Sequence, residues 1–512
     1  MTPLHIWWST LLSFPLLCSL CWADIPFETD SAKYNSGFVN PNQTYVTEPD
    51  IISPIFLVNT MNASIMDSSP YIFLALGYGQ VYSPYIFDAS DLSLVYADPS
   101  YEFVNDVRAQ TLRGESALTF WQGKPLEQGG HASGYCVVQS HDYEVQHNVT
   151  AQGLGTTLAD LHEVKLTSNG TILFNVYQKI PFDLTSVNGP QDGELNDSLF
   201  QEVDLETGEL LFTWRASDHF SLADSHVGYE GVAYDFFHIN SVDKTDEGNY
   251  LITSRHTNTI SYISGKDGSL IWVLGGNKNS FSDPTGGSAL DFSWQHDARF
   301  LDAGRTHLTM FDNHGSHHGI NCTEKCSRGL HIILNYTEMT ARVANEYYHP
   351  GTNLSSGALC GYTTLPSGNV LLAWGTNPCI TEHTENGDVA LDIQVSALGK
   401  PGGHFLYRAY KSNWKSTPPW DPRIAVQKKK DCGNVTVYLS WNGATEVKEW
   451  AIVTWGKNNP AEQHAREVVR THRQGFETSI AVDRQDLSDF IAAVALDSAG
   501  HVLGRTKAAE AS

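Results

Sequence analysis

The sequence has little of the periodicity that an α-helical protein needs. Apolar residues rarely recur at helical spacing, and short alternating runs separated by Gly, Asn and Asp dominate instead. Charged residues make up only 17% of the 512 residues, whereas 41% are hydrophobic and 11% aromatic, which is enough apolar surface for a large core. The composition therefore predicts a globular, all-β protein.

Two catalytic motifs are absent, and basic residues are few. There is no G-x-x-x-x-G-K-[ST] phosphate loop to support a nucleotide-dependent mechanism, and no G-x-S-x-G elbow to support a serine esterase.

The 32 Lys and Arg against 57 Asp and Glu give a net charge of −25. Such an excess repels nucleic-acid phosphates and anionic membrane surfaces, so we expect no nucleic-acid partner.

Residues 1–23 contain no Asp, Glu, Lys or Arg. Within them, residues 4–22 form an apolar run that leads to Ala23, which is typical of a secretory signal peptide cleaved after a small residue. A signal anchor is the alternative, although Pro15 interrupts the run and its length is marginal for a span. No later segment is long and apolar enough to cross a bilayer. We therefore expect secretion, with no membrane span after cleavage.

Two further patterns agree with secretion. Nine N-x-S/T sequons are candidate sites for N-linked glycans: Asn42, Asn62, Asn148, Asn169, Asn196, Asn321, Asn335, Asn353 and Asn434. Six cysteines follow residue 23, an even number that predicts disulfides in an oxidising compartment: Cys136, Cys322, Cys326, Cys360, Cys379 and Cys432. Cys322 and Cys326 are close enough to clip one loop, and the remaining pairing stays open.

Two local patterns recur along the chain. A turn with Gly followed by an apolar strand occurs at 168–174, 247–254, 303–311 and 367–374, and a polar hairpin tip followed by a strand occurs at 206–214, 266–274 and 385–392. A period of this length, filled with antiparallel hairpins, predicts a β-propeller, for which we expect six blades. Residues that are distant in sequence would then face one another in a central funnel.

The strand patterns and the changes in composition along the chain predict its division into segments. We predict an N-terminal β segment over 24–110 that leads into a propeller over 111–410. Prolines and lysines favour a linker over 411–430. Four strand-like runs within 431–512 predict a small C-terminal β-sandwich, with Trp441, Trp450 and Trp455 in its core.

Four residues at the edges of strand-like runs are candidates for catalysis: His162, His238, Arg255 and His296. Histidine acts as a nucleophile or proton carrier near neutral pH, and arginine is a charged fork that matches oxyanions. A single histidine in a β protein is usually structural, but these four occupy comparable parts of the repeats. Nearby Asp160, Asp235 and Asp297 could orient the imidazole rings.

Six segments in order resemble the arylsulfotransferase (ASST) family, and more closely its secreted fungal branch. They are D-L-H-E-V-K-L-T, D-F-F-H-I-N-S-V-D, Y-L-I-T-S-R-H-T-N-T-I, W-V-L-G-G, F-S-W-Q-H-D-A-R and L-T-M-F-D-N-H-G, within residues 80–410. The resemblance implies a six-bladed propeller that moves a sulfuryl group from an aryl sulfate to a phenol, without a nucleotide donor, through a sulfated histidine. We expect a small aromatic substrate and no cofactor.

The resemblance also assigns roles to residues. His296 matches the histidine that becomes sulfated, His238 and Arg255 match the anion-binding pair, and His162 matches an earlier funnel histidine. Four neighbours within the same motifs are expected to bind substrate: His256, Asn240, Asp297 and Asn313.

One departure from the family pattern leaves other functions open. His314 follows Phe-Asp-Asn where the family has glycine, and His314, His317 and His318 form a histidine-rich string. No carboxylate or cysteine completes a metal set there, so we expect a solvated loop and no metal. The alternatives are a tailoring enzyme for aromatic secondary metabolites or a sulfate-ester hydrolase that uses the same funnel, and a non-catalytic secreted propeller that binds a ligand or partner.

Overall fold

The computed structural model describes residues 24–78, 81–126, 130–315, 319–320, 322–323, 325–428, 433–457 and 465–511. The predicted signal peptide, His317, His318 and Cys432 lie outside these residues. The described chain has one α-helix, Ser31–Ser36 (α1), and short 3₁₀ helices at Thr185–Val187, Ala216–Asp218, Leu222–Asp224 and Arg484–Asp486. All other regular structure in these ranges is β-sheet, so the all-β prediction is confirmed. No described helix is long and apolar enough to span a bilayer.

The described part of the chain begins with four short strands, Phe27–Glu28 (β1), Asn42–Thr44 (β2), Ile52–Pro54 (β3) and Phe56–Met61 (β4). Strands β2 and β3 pair with each other, whereas β1 pairs with β4 in parallel.

Six larger sheets follow in chain order. The first contains Tyr71–Tyr78 (β5), Val81–Asp88 (β6) and Leu94–Ala97 (β7). The second contains Phe103–Leu112 (β8), Glu115–Pro125 (β9), Ala132–Gln139 (β10) and Val145–Val149 (β11). The third contains Val164–Leu166 (β12), Thr171–Phe182 (β13), Gly193–Asp204 (β14) and Leu210–Arg215 (β15).

The fourth sheet contains Ile239–Lys244 (β16), Tyr250–Ser254 (β17), Thr259–Ile263 (β18) and Leu270–Leu274 (β19). The fifth begins with His296–Phe300 (β20) and His307–Asp312 (β21). After Gly319–Ile320 (β22), it continues with Arg328–Asn335 (β23) and Thr340–Tyr347 (β24), and β22 pairs with Leu354–Ser355 (β25). The sixth contains Gly361–Thr364 (β26), Val370–Ala373 (β27), Cys379–His383 (β28) and Val389–Gln394 (β29).

The two sequence repeats correspond to fixed positions in these sheets. Each turn-Gly-strand segment supplies a second strand, namely β13, β17, β21 or β27, and each hairpin-tip segment supplies a fourth strand, namely β15, β19 or β29. Gly170 and Gly248 adopt φ of 78° and 84° in their turns, a backbone conformation that favours glycine. The repeats therefore mark equivalent hairpins.

Neighbouring sheets pack through shared apolar clusters. Trp121 and Phe174 join the second and third sheets, Phe200 and Ile252 join the third and fourth, and the same pattern links the fourth to the fifth and the fifth to the sixth. Two further clusters link the first sheet to the second and to the sixth. Every one of the six sheets thus packs on two others, and the packing closes on itself.

Strands from both ends of this region complete the first and last sheets. Tyr410–Ser412 (β30) pairs with β5, so the first sheet combines residues that are more than 300 positions apart. Conversely, the early strand β4 pairs with β29 of the last sheet. These pairings tie the two ends of the region together.

The remaining strands form two sheets with a common core. Arg423–Lys428 (β31), Asn434–Ser440 (β32), Glu449–Trp455 (β33), Arg466–His472 (β34), Glu477–Asp483 (β35), Phe490–Leu496 (β36), Val502–Arg505 (β37) and Ala509–Glu510 (β38) are the strands. One sheet has the order β31-β32-β35, and the other has the order β34-β33-β36-β37 with β38 against β36. Trp441 and Trp450 belong to the apolar cluster that the two sheets share, which confirms their core position. Trp455 is buried on the opposite face of β33, against Phe490 and Ala492, so its predicted place in that core is wrong.

The strand pairings move two of the sequence-based boundaries. The first large sheet already begins at Tyr71, within the segment 24–110 that we expected to precede the propeller. The linker expected over 411–430 is shorter, because Lys411 and Ser412 belong to β30 and Arg423–Lys428 forms β31. Proline and lysine content indicated a change of domain here but could not reveal strand pairing with distant partners.

The cysteines and sequons also differ from expectation. Cys322 and Cys326 form a disulfide, as expected. However, Cys136, Cys360 and Cys379 are free and buried, so the full pairing suggested by an even count is wrong. The side chain of Asn196 lies in β14 at 3% exposure, which does not suit a surface glycan.

Candidate functional site

A cavity of about 570 Å³ opens where the first strands of three neighbouring sheets begin. His162 lies two residues before β12, His238 lies immediately before β16, and His296 is the first residue of β20. Arg255 and His256 come from the turn between β17 and β18. These five predicted residues line the cavity together. The recurrence of candidates at strand edges therefore corresponds to one site.

His296 is buried and oriented by Asn313. Its Nδ1 atom lies 2.7 Å from Oδ1 of Asn313, whose Nδ2 donates to the backbone oxygen of Ser356 at 2.6 Å. Since the amide nitrogen is used by Ser356, the amide oxygen must accept from the ring, which places the imidazole proton on Nδ1. Burial and the nearby Arg255 hold the pKa of His296 well below its usual range. The ring is therefore neutral, with an Nε2 lone pair and no Nε2 hydrogen bond to the described residues.

Asp235 is shared by three histidines. Its Oδ2 atom lies 2.5 Å from Nδ1 of His238 and 3.1 Å from Nε2 of His131, and its backbone oxygen lies 2.7 Å from Nδ1 of His256. Burial lowers the pKa of His238 and of His256, the latter to about 4. For His131, the Asp235 carboxylate outweighs burial and raises the pKa. Asp235 thus holds His238 with Nδ1 on the carboxylate and Nε2 available to the cavity.

Arg255 is the cationic side chain in the cavity lining, and it is held on three sides. Nη1 lies 2.8 Å from Nε2 of His256, Nη2 donates to the backbone oxygen of Gly357 at 2.8 Å, and the guanidinium lies 4.3 Å from the ring centre of Trp294. Burial lowers the pKa of Arg255 to about 10, which still leaves it charged at neutral pH. His256 is therefore a support for Arg255, since both of its ring nitrogens are already hydrogen-bonded.

His162 completes the group of imidazoles. Its Nδ1 atom bonds to Oδ1 of Asp160, and its ring centre lies 5.0 Å from that of His238. The rings of Tyr177 and Tyr407 pack beside it, at 5.9 and 5.6 Å. Asp160 and Asp235 thus orient imidazoles as expected, whereas Asp297 does not.

Asn240, Asp297 and Asn313 were expected to bind substrate, but they are not among the residues that line the cavity. Asn240 donates to the backbone oxygen of Gln295 at 2.8 Å. Asp297 lies 2.8 Å from Arg299 and accepts from the backbone nitrogen of Tyr362 at 3.0 Å. All three are buried, and Asn313 acts on the site through His296.

A cluster of buried ion pairs lies next to the cavity residues. Glu163, which follows His162, bonds to Arg299 at 2.6 Å and also pairs with Arg108 and Arg408. Asp106 and Asp297 supply the other two carboxylates, at 3.1 and 3.4 Å from Arg408. The three arginines thus balance three acids. Such clusters cost much to break, because loss of one partner leaves a buried charge.

Left-handed backbone conformations concentrate around the site. His238, Trp294 and Asp297 have φ near 60°, and Leu359 and Cys360 have φ of 67° and 92°. Non-glycine residues adopt this region at an energetic cost and only when the surroundings enforce it. The Ser356–Cys360 loop contacts both Asn313 and Arg255, so it holds two functional side chains at once.

Sequence reasoning missed His131, which precedes β10 and lines the cavity. It belongs to no motif, and only its contact with Asp235 reveals it. The ligand atoms of His131, Asp235 and His238 lie within 4.8 Å of one another and could hold a metal ion. Oδ2 of Asp235 already contacts Nδ1 of His238 and Nε2 of His131, whereas Oδ1 of Asp235 and Nδ1 of His131 have no hydrogen-bond partner among the described residues. His314, the departure from the family pattern, lies 3.4 Å from Asp312 and does not line the cavity.

Comparison with known proteins gives one family match. Residues 108–396 match the family described as arylsulfotransferase (ASST). No curated protein matches the chain.

Similar solved structures include a protein of unknown function from Bacteroides caccae, at 15% identity and TM-score 0.40, covering 67% of this chain and 98% of that one. The Dos1 propeller is similar at 9% identity and TM-score 0.30, covering 72% and 73% of the two chains. A catalytically inactive virginiamycin B lyase from Staphylococcus aureus, solved with quinupristin, is similar at 9% identity and TM-score 0.27, covering 65% and 84%.

Proposed function

The chain belongs to the arylsulfotransferase family, and we propose that it transfers a sulfuryl group from an aryl sulfate to a phenol through a sulfated His296. The observation that carries this proposal is the orientation of His296. Its Nδ1 proton is bound by Asn313, so the neutral Nε2 atom is free to attack an electrophile in the cavity. We expect neither a nucleotide nor a metal to take part.

Arg255 binds the sulfate group of the aryl sulfate in this mechanism. Its planar fork matches the oxygens of a sulfate ester, and its contacts with His256, Gly357 and Trp294 hold it before substrate arrives. The transferring sulfuryl group spreads negative charge over three oxygens, much as a phosphoryl group does, so a fixed cation stabilises the transition state.

Two half-reactions complete the transfer. In the first, Nε2 of His296 attacks sulfur, the bond from sulfur to the aryl oxygen breaks, and the aryl group leaves as a phenolate. In the second, the acceptor phenol gives its proton to the neutral Nε2 atom of His238 as its oxygen attacks sulfur and the bond to His296 breaks. Asp235 stabilises the His238 imidazolium that forms in this step, and the extra proton passes to solvent before the next turnover. One sulfuryl group moves in each half by way of His296, which gives ping-pong kinetics.

The finer architecture is part of the proposal. We infer that the six large sheets are the six blades of a propeller and that the last two sheets form a sandwich. The cyclic packing of the six sheets supports the first inference, and the common core around Trp450 and Ile452 supports the second. We also infer secretion, with N-linked glycans, from the apolar residues 4–22, the sequons and the Cys322–Cys326 disulfide. The motifs favour the fungal branch of the family.

The test is to trap the intermediate. Purified protein is incubated with 4-nitrophenyl sulfate and no acceptor, and its intact mass and peptides are measured. We expect one added sulfuryl group, ~80 Da, on the peptide that contains His296. His296→Asn should abolish the adduct, whereas His383→Asn, a change at a buried histidine in β28, should retain it.

Other outcomes would redirect the assignment. Sustained release of nitrophenol without acceptor and without adduct would make the protein a hydrolase that uses water. No adduct and no release with a panel of aryl sulfates would overturn sulfuryl transfer.

A further inference from the structure

His131 lines the cavity but belongs to none of the motifs that contain the other four lining histidines. It lies immediately before β10, so it comes from the second sheet, whereas those four come from the third, fourth and fifth. The residue is only 3% exposed, and its ring centre lies 4.2 Å from that of Tyr177. The second sheet therefore contributes a buried imidazole to the site.

His131 and His238 contact the same oxygen atom. Oδ2 of Asp235 lies 3.1 Å from Nε2 of His131 and 2.5 Å from Nδ1 of His238. The neighbouring histidines outweigh burial and hold the pKa of Asp235 well below its usual range, so its carboxylate is ionised and can only accept. Both ring nitrogens therefore carry a proton. Nδ1 of His131 has no partner among the described residues with or without a proton, so Asp235 decides the charge of this ring.

One carboxylate cannot balance two imidazolium ions. The ring centres of His131 and His238 lie 5.1 Å apart, and like charges at that distance repel strongly inside a protein. The pair therefore binds one extra proton readily and a second one poorly. Burial opposes the charge on His131, but Asp235 raises its pKa overall. For His238, burial together with His256 and His162 lowers the pKa despite Asp235. The extra proton of the resting pair therefore belongs to His131.

Other titratable groups surround the ring of His131: Asp160 and His162 before β12, Tyr177 and Lys179 in β13, and His256 in the turn after β17. Asp160 is already engaged, since its two oxygens contact Nδ1 of His162 and the backbone nitrogen of Ala132. Burial raises the pKa of Tyr177, so its hydroxyl stays neutral, and Lys179 adds positive charge. Asp235 is therefore the carboxylate that balances His131.

We propose that His131 is a positioning residue of the second half-reaction: as an imidazolium it balances the charge of Asp235, which keeps His238 neutral and able to accept the proton of the acceptor phenol. Once His238 has taken that proton, two imidazolium rings share one carboxylate. The repulsion between them drives the extra proton from His238 to solvent, which resets the base for the next turnover. This inference rests on the proposed sulfuryl transfer through His296.

The experiment isolates the second half-reaction in full-length protein. The protein is sulfated with 4-nitrophenyl sulfate, freed of donor and mixed with phenol at values between about pH 4 and 9. Intact mass follows the loss of the sulfuryl group, corrected for the loss without phenol. His131→Gln should still become sulfated, because His131 acts only in the second step. Without the cation, His238 binds a proton more tightly, so the acid limb of the transfer rate should move up by about one pH unit. Below both limbs, transfer should be about tenfold slower than in the wild type.

Two further variants separate charge from packing. His131→Lys keeps a cation beside Asp235 and should leave the acid limb near its wild-type position. His383→Gln changes a buried histidine of β28 that does not line the cavity, and it should not move the limb. If His131→Gln does not fold, His131→Asn takes its place as the neutral variant.

The outcomes distinguish this inference from the function on which it rests. An acid limb that stays in place in the neutral variant overturns the role of His131, while a sulfated His296 still supports sulfuryl transfer. A limb that moves equally in His131→Lys and His131→Gln also overturns it, since charge is then not the cause. A wild-type protein that never gains a sulfuryl group overturns both.

Discussion

His296 and Asn313 are joined by a hydrogen bond of 2.7 Å from ring Nδ1 to amide Oδ1. The two residues lie on neighbouring strands of the fifth sheet, one at the start of β20 and one just after β21. The amide thereby determines which ring nitrogen carries the proton. The nucleophilicity of His296 thus depends on a residue that does not line the cavity.

Replacement of Asn313 by Ala should lower kcat/KM by about 100-fold, because the ring loses the partner that fixes its tautomer and direction. Release of nitrophenol with a phenolic acceptor present measures this. Asn345→Ala removes an amide that bonds instead to the backbone of Glu385 and should have little effect. Equal activity in the two variants would argue against the role given to Asn313.

The pH dependence should follow the neutral form of His296. Burial and Arg255 lower the pKa of His296, so the ring stays neutral below its ordinary titration range and activity should persist under pH 6.5. Arg255→Gln removes a positive charge, which should raise the pKa of His296 and move the acid limb of kcat/KM to higher pH. Profiles of both proteins between about pH 4 and 9 test this. An unmoved limb would show that another group controls it.

Replacement of Arg255 by Lys should raise KM for the aryl sulfate about tenfold, although the charge is kept. Lysine cannot form the planar fork or stack on Trp294 in the same way. Trp294→Phe keeps an aromatic face and should have a smaller effect. The comparison of KM and kcat for the two variants separates binding from chemistry. If Lys serves as well as Arg, the bidentate contact is not used.

Glu163→Gln should destabilise the protein by roughly 3–5 kcal/mol, because three buried arginines would lose a shared carboxylate. Urea unfolding followed by tryptophan fluorescence gives the free energy. Glu385→Gln changes an exposed glutamate and is the control. A loss below about 1 kcal/mol would place Glu163 with ordinary surface ion pairs.

The sequence predicted the class of fold and most of the cavity for a physical reason. Repeated Gly turns specify local hairpins, and His162, His238 and His296 recur at equivalent strand edges, so both signals are local in the chain. Asp297 follows His296 directly, yet its left-handed backbone turns the carboxylate toward Arg299 and Arg408. That direction depends in part on Arg408, which lies more than 100 positions later in the chain and so belongs to no local pattern around Asp297.

His131 shows the same limit more strongly. It belongs to no repeat and no motif. Its role arises only because the packing of the sheets brings its Nε2 atom within 3.1 Å of Oδ2 of Asp235. The cysteine count failed for a related reason. Cys136, Cys360 and Cys379 are buried as small apolar side chains. The even total of six cysteines after residue 23 therefore did not predict which of them form disulfides.

The late strand β30 imposes an order on biosynthesis. Synthesis from the amino terminus places β5, β6 and β7 outside the ribosome long before Tyr410–Ser412 has been made. During that interval the open edge of β5 is a template for pairing with other chains. A transcript that stops before codon 410 would produce a chain whose first sheet never gains its fourth strand. We expect chaperones to bind such a truncated chain and proteases to degrade it, even though it contains all the proposed catalytic residues.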